Sequence, residues 1–107
     1  MKLSVHERVM LGGMMTTYKG SFTNLKLVRE GREALSFSEE EDKELQFSPE
    51  ENMIRWNEVA AVKYQAVDVL LSSTILNIIK GMLVKLNETA ELTEQHFTLY
   101  EKFVLNE

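Results

Sequence analysis

A chain of 107 residues has room for one hydrophobic core, and 44% apolar with 27% charged residues is the composition of a globular protein rather than a disordered one. A formal charge of −5 argues against sequence-independent nucleic-acid binding, and the absence of cysteine excludes disulfides and thiolate metal sites. The N-terminus carries charge where a signal peptide needs its apolar run, and Asn77, Lys80, Gly81 and Lys85 interrupt the longest apolar stretch. These features predict a soluble, cytoplasmic single domain spanning residues 1–107, with no membrane association.

Ser4 followed by Glu7 is a capping box, so a helix is expected to start at Val5. Val5, Val9, Met10, Leu11, Met14 and Met15 spread all round that helix, the pattern of an element that is buried or meets a partner. Gly12 and Gly13 weaken it and are expected to end it early. Residues 16–21 read as a loop with Gly20 as the turn residue. Phe22, Thr23 and Leu27 fit a hydrophobic staple around a Thr23 N-cap, starting a second helix whose stripe is Leu27, Val28, Gly31, Ala34 and Leu35. Gly31 inside that stripe predicts close approach by another element. Ser38 and Glu41 form another capping box and predict a short helix at Glu39–Leu45, closed off by Pro49.

The middle of the chain changes character. Residues 48–52 have turn chemistry and residues 53–56 alternate, with Ile54 and Trp56 on one side. Residues 62–69 suit either a strand or a helix. The favoured arrangement is a small antiparallel pair of residues 54–56 with part of 66–69. Residues 72–86 then carry the strongest periodicity in the chain, and the rest is expected to pack around them. Ile75, Leu76, Ile78, Ile79, Met82, Leu83 and Leu86 recur on one helix face, with Ser72 or Ser73 as the cap. Residues 87–92 read as a polar connection, and Thr93 caps a last helix with Phe97, Tyr100, Phe103 and Val104 as its apolar side. The expected fold is α+β and mostly helical, four to five helices with a two- or three-stranded antiparallel ribbon in the middle.

No catalytic constellation emerges. His6-Glu7 begins like a zinc-binding H-E-x-x-H motif, but the second position is Met10, and His96 lies on a different helix. Ser72, Ser73 and Thr74 are accounted for by capping and lack a G-x-S-x-G elbow; Gly12-Gly13 lacks the lysine of a phosphate loop. The acidic run at residues 39–42 lacks the alternating spacing and glycine of a calcium loop and reads as a solvated helix start. No metal, cofactor or catalytic residue is therefore predicted. Trp56 reads as a core plug rather than a stacking platform. Six methionines, three of them in the first helix, are the most suggestive feature. Methionine fills gaps in small cores and also adapts to partner surfaces.

Residues 24–41 (NLKLVREGREALSFSEEE), 54–57 (IRWN) and 92–104 (LTEQHFTLYEKFV) together resemble a group of small, uncharacterised proteins encoded in bacteriophages and prophages. The first loop, MTTYKGS, departs from the shorter, proline-containing connection of that group. The resemblance implies no enzyme activity and transfers no site residue; it implies an inhibitor or adaptor of a host or phage protein, often an oligomer. The leading expectation is a non-enzymatic, phage-type protein that binds and inhibits a host defence protein in the bacterial cytoplasm. Met10, Met14, Met15, Tyr18, Arg29 and Arg32 are the predicted contact residues, and a dimer is the favoured oligomer. The alternative is a small-ligand or nucleotide sponge whose pocket lies between subunits and uses Arg29, Arg32 and Tyr18.

Overall fold

The computed structural model describes residues 1–50 and 53–105, without the side chains of Glu50 and Met53. The chain runs β1 (Lys2–Leu3), α1 (Val5–Thr16), α2 (Phe22–Leu35), α3 (Glu39–Leu45), β2 (Ser48–Glu50), β3 (Met53–Arg55), α4 (Glu58–Ala61), β4 (Val67–Asp68), α5 (Ser73–Glu88) and α6 (Phe97–Tyr100). A 3-10 turn at Val62–Tyr64 extends α4, another at Glu94–His96 precedes α6, and a π-helical turn at Glu101–Leu105 follows it. The fold is α+β and mostly helical.

Local hydrogen bonding explains where most helices begin. Ser4 Oγ accepts from Glu7 N at 3.1 Å while Ser4 N donates to Glu7 Oε1 at 2.9 Å, and Ser38 with Glu41 repeats the arrangement. Ser72 rather than Ser73 caps α5, its Oγ accepting from Ile75 N. The cap of α2 is Ser21, not Thr23: Ser21 Oγ accepts from Asn24 N, so Phe22 enters the helix and its side chain is exposed rather than stapled. Gly12 and Gly13 do not end α1, which continues to Thr16 because tertiary packing of Leu11 and Met15 offsets the poor propensity of two glycines. Helix α5 extends to Glu88, two residues past the expected polar boundary.

The strands pair differently from expectation. β3 forms an antiparallel hairpin with β2, placing Pro49 opposite Ile54, and β4 pairs with the N-terminal β1, Leu3 opposite Val67. Residues 54–56 therefore do not meet 66–69. The N-terminal ammonium reinforces β1–β4 through Asp68 Oδ1 at 3.1 Å.

Two apolar clusters make up the interior. The larger gathers Leu3, Leu11, Met15, Val28, Leu35, Val69, Ile75, Ile79, Leu83, Leu99 and Phe103. The smaller gathers Val5, Leu45 and Ala61, flanked by Val9, Phe37, Phe47, Trp56 and Tyr64. Helix α5 feeds only the larger cluster, whereas α1 contributes Leu11 and Met15 to one and Val5 to the other. The organising element is thus α1 as much as α5. At the C-terminus Leu99 and Phe103 are the buried residues, while Phe97, expected on the apolar side, is exposed. Gly31 meets its neighbours as expected: a Cβ there would lie 2.7 Å from Met15 Cε and 3.1 Å from Ile75 Cγ2.

Candidate functional site

One side of α1 is tied down by charge. Arg8 is 3% exposed, donating from Nη1 to Glu41 Oε2 at 2.6 Å, from Nε to the Leu35 carbonyl at 3.2 Å and from Nη2 to the Ser36 carbonyl at 2.6 Å. Its guanidinium also stacks 4.0 Å over the Phe37 ring. Arg8 holds the Glu41 carboxyl below its ordinary range. Beside it, Glu7 accepts from Lys102 Nζ at 2.6 Å, and Lys102 also donates to the Lys2 carbonyl. Burial opposes ionisation of Glu7, but the hydrogen bonds from Lys102 and Ser4 N outweigh it and keep that carboxyl low as well. These ion pairs clamp α1 to α3 and to the C-terminal turn; they are structural.

Beside this clamp, whose Arg8 and Phe37 border the first of two grooves, the face of α1 around Gly12 and Gly13 is open. A Cβ placed on Gly12 or Gly13 would meet nothing within 4 Å. Two grooves run along this face. One, of about 820 Å³, lies between α1 and α2 and is lined by Val9, Gly12, Gly13, Arg29, Arg32, Phe47 and Ile54. The other, of about 770 Å³, lies between α1 and β3 and is lined by His6, Val9, Met10, Gly13, Met14, Ile54 and Trp56. Val9, Gly13 and Ile54 border both, so the two form one continuous surface with a low ridge. Trp56 is half-buried, 6.2 Å edge-on from Phe47 and 6.3 Å from His6 between ring centroids, and so forms a wall of this surface as well as packing on the smaller cluster.

The six predicted contact residues divide. Met10 and Met14 are half-buried in the α1/β3 groove, and Arg29 and Arg32 are exposed in the α1/α2 groove. Met15 is 2% exposed and belongs to the core, packed under Gly31; it is not available to a partner, because its position on α1 faces α2 and α5. Tyr18 lies in a third groove, between α1 and α5, and accepts a hydrogen bond from Asn24 Nδ2. Within one chain Tyr18 and the two arginines therefore line separate grooves, and a nucleotide pocket using all three would need two copies. A Cβ on Gly20 would lie 2.7 Å from Tyr18 Cε2, so a larger residue there would displace the Tyr18 ring, and no glycine has positive φ.

Val9, Gly13, Ile54 and Trp56 border this surface but lie outside the six predicted contact residues. The all-round apolar pattern of α1 marks Val9, whereas Gly13 reads as a helix breaker and Ile54 as half of a strand pair that does not form. Among the described residues no group of three or more His, Asp or Glu side chains converges as a metal site, and no helix is long and apolar enough to cross a membrane. In the acidic run Glu41 is committed to Arg8 and Ser38. Compared with known proteins, the chain matches no family model, no curated protein and no solved structure.

Proposed function

We propose that the chain is a non-enzymatic interaction protein that binds a partner protein through the outer face of α1 and the two grooves beside it. The observation that carries this reading is the continuity of Val9, Gly13 and Ile54 across both grooves, with Ile54 half exposed and Gly13 lowering the ridge. Exposed apolar surface rimmed by charged side chains is the usual form of a protein-binding patch, and half-buried methionines let it adjust to a partner. Arg29 and Arg32 supply the charged rim on α2.

The resemblance of residues 24–41, 54–57 and 92–104 to phage and prophage proteins makes a bacterial host protein the partner of choice, with inhibition of a defence enzyme as the outcome. A second copy of the chain is the competing occupant of the same face. Light scattering before and after capture from a bacterial host lysate separates the two. The expected result is stoichiometric capture of one host protein by the wild type and loss of capture in Gly13→Arg. That substitution introduces a side chain into open space and leaves the folded state intact. Unchanged capture by Gly13→Arg, or a stable self-contained oligomer that captures nothing, would overturn the reading.

A further inference from the structure

The α1/α5 groove carries chemistry that the contact face does not use. Helix α5 has a wider apolar stripe than the core needs. Ile75, Ile79 and Leu83 form the row that is fully buried, while Ile78, Met82 and Leu86, offset by three residues, are only half-buried and line the groove. Met14 of α1 faces them across it, so the floor is a strip of aliphatic and thioether surface. Its volume of about 620 Å³ lies within the ~300–1,000 Å³ range of small-molecule sites.

The rim has the opposite sign from the molecule as a whole. The protein carries −5, yet Lys19 and Lys85 line this groove against a single acid, Glu91, and neither lysine forms an ion pair among the described residues. His96 completes the rim. Its Nδ1 accepts from Thr93 N at 3.0 Å, which leaves the proton on Nε2 of the neutral ring and makes that nitrogen a donor. An apolar floor with cationic and neutral donors at its edge is complementary to an anion with an aliphatic tail.

We infer that the α1/α5 groove binds a small amphipathic monocarboxylate, its tail on Met14, Ile78, Met82 and Leu86 and its carboxylate at Lys19 and Lys85. The site shares only Met14 and Thr17 with the proposed protein-contact face, so either can fail without the other. Gly81 supplies a clean block. A Cβ there meets nothing within 4 Å, so Gly81→Leu fills the groove while raising the helix propensity of α5.

The test is titration of the full chain with octanoate and, separately, with 1-octanol, followed by backbone amide chemical shifts. The expected result is saturable octanoate binding with shifts at Gly81 and Thr89, weakened by salt. Binding is expected at least tenfold weaker for octanol and for the Lys19→Gln/Lys85→Gln double variant, and absent in Gly81→Leu, while host-protein capture by Gly81→Leu is unchanged. Equal binding of octanoate and octanol, shifts confined to another surface, retention of binding by Gly81→Leu, or no saturable binding would overturn the inference.

Discussion

Arg8 is the residue on which the interior depends most for its polar order. Its guanidinium joins a carboxylate, two backbone carbonyls and an aromatic face, from the last residue of α2, the segment joining α2 to α3, and α3 itself. Truncating one partner of a buried ion pair leaves the other charge uncompensated, which costs about 3–5 kcal/mol. Arg8→Ala is therefore expected to lose about that much in urea unfolding, with Glu41→Gln losing less because Arg8 keeps its two backbone carbonyls and the Phe37 face. The carboxyls of Glu7 and Glu41 are both held low, so each releases its proton more readily in the folded chain than in the unfolded one. Their contribution is fully present above the ordinary glutamate value near 4.5 and is lost as pH falls through the depressed folded values. Thermal melts between about pH 3 and pH 7 should show a Tm that is flat at the upper end and drops below about pH 4.5, with a shallower drop in Glu7→Gln. A Tm independent of pH across that window would contradict the ion-pair assignments.

At the scale of single elements, glycine has two opposite roles. Gly12 and Gly13 sit in α1 with open space around them, so alanine there should stabilise the helix by about 0.5–1 kcal/mol each. Gly31 in α2 is held between Met15 and Ile75, so Gly31→Ala should instead lose about 1 kcal/mol, the overpacking of a buried contact exceeding the gain in helix propensity. The helix ends offer a further contrast. Gln46, which closes α3, and Ala90, just beyond α5, adopt left-handed backbone angles with φ of 50° and 57°. Glycine carries no Cβ penalty in that region, so Gln46→Gly and Ala90→Gly should each raise stability by roughly 0.5–1 kcal/mol in chemical denaturation.

For the whole molecule, α1 is the element shared by the two apolar clusters, and Lys102 ties the C-terminal turn back to its first residues. That connectivity predicts one cooperative unfolding transition. Trp56, the single tryptophan, reports on the smaller cluster, while far-ultraviolet circular dichroism is dominated by α1, α2 and α5. The two signals should share one denaturant midpoint; separate midpoints would mean that the clusters unfold independently.

By itself, the sequence determined the starts of α1 and α3, that of α5 to within one residue, and the core row of α5. Capping is a hydrogen bond between residues three apart, as with Ser4 and Glu7 or Ser38 and Glu41, and a helical stripe is a property of one segment. The close approach at Gly31 was legible for the same reason, as a gap in a stripe. What only the tertiary structure decided was pairing and side. Strands of two or three residues have no register of their own, so β1 met β4 and β2 met β3 according to which edges the helices brought together. An all-round apolar helix likewise does not say which of its faces is covered. Packing on α2 and α5 buried Met15, left Met10 and Met14 half-buried beside open glycines, and sent Tyr18 and the two arginines into different grooves.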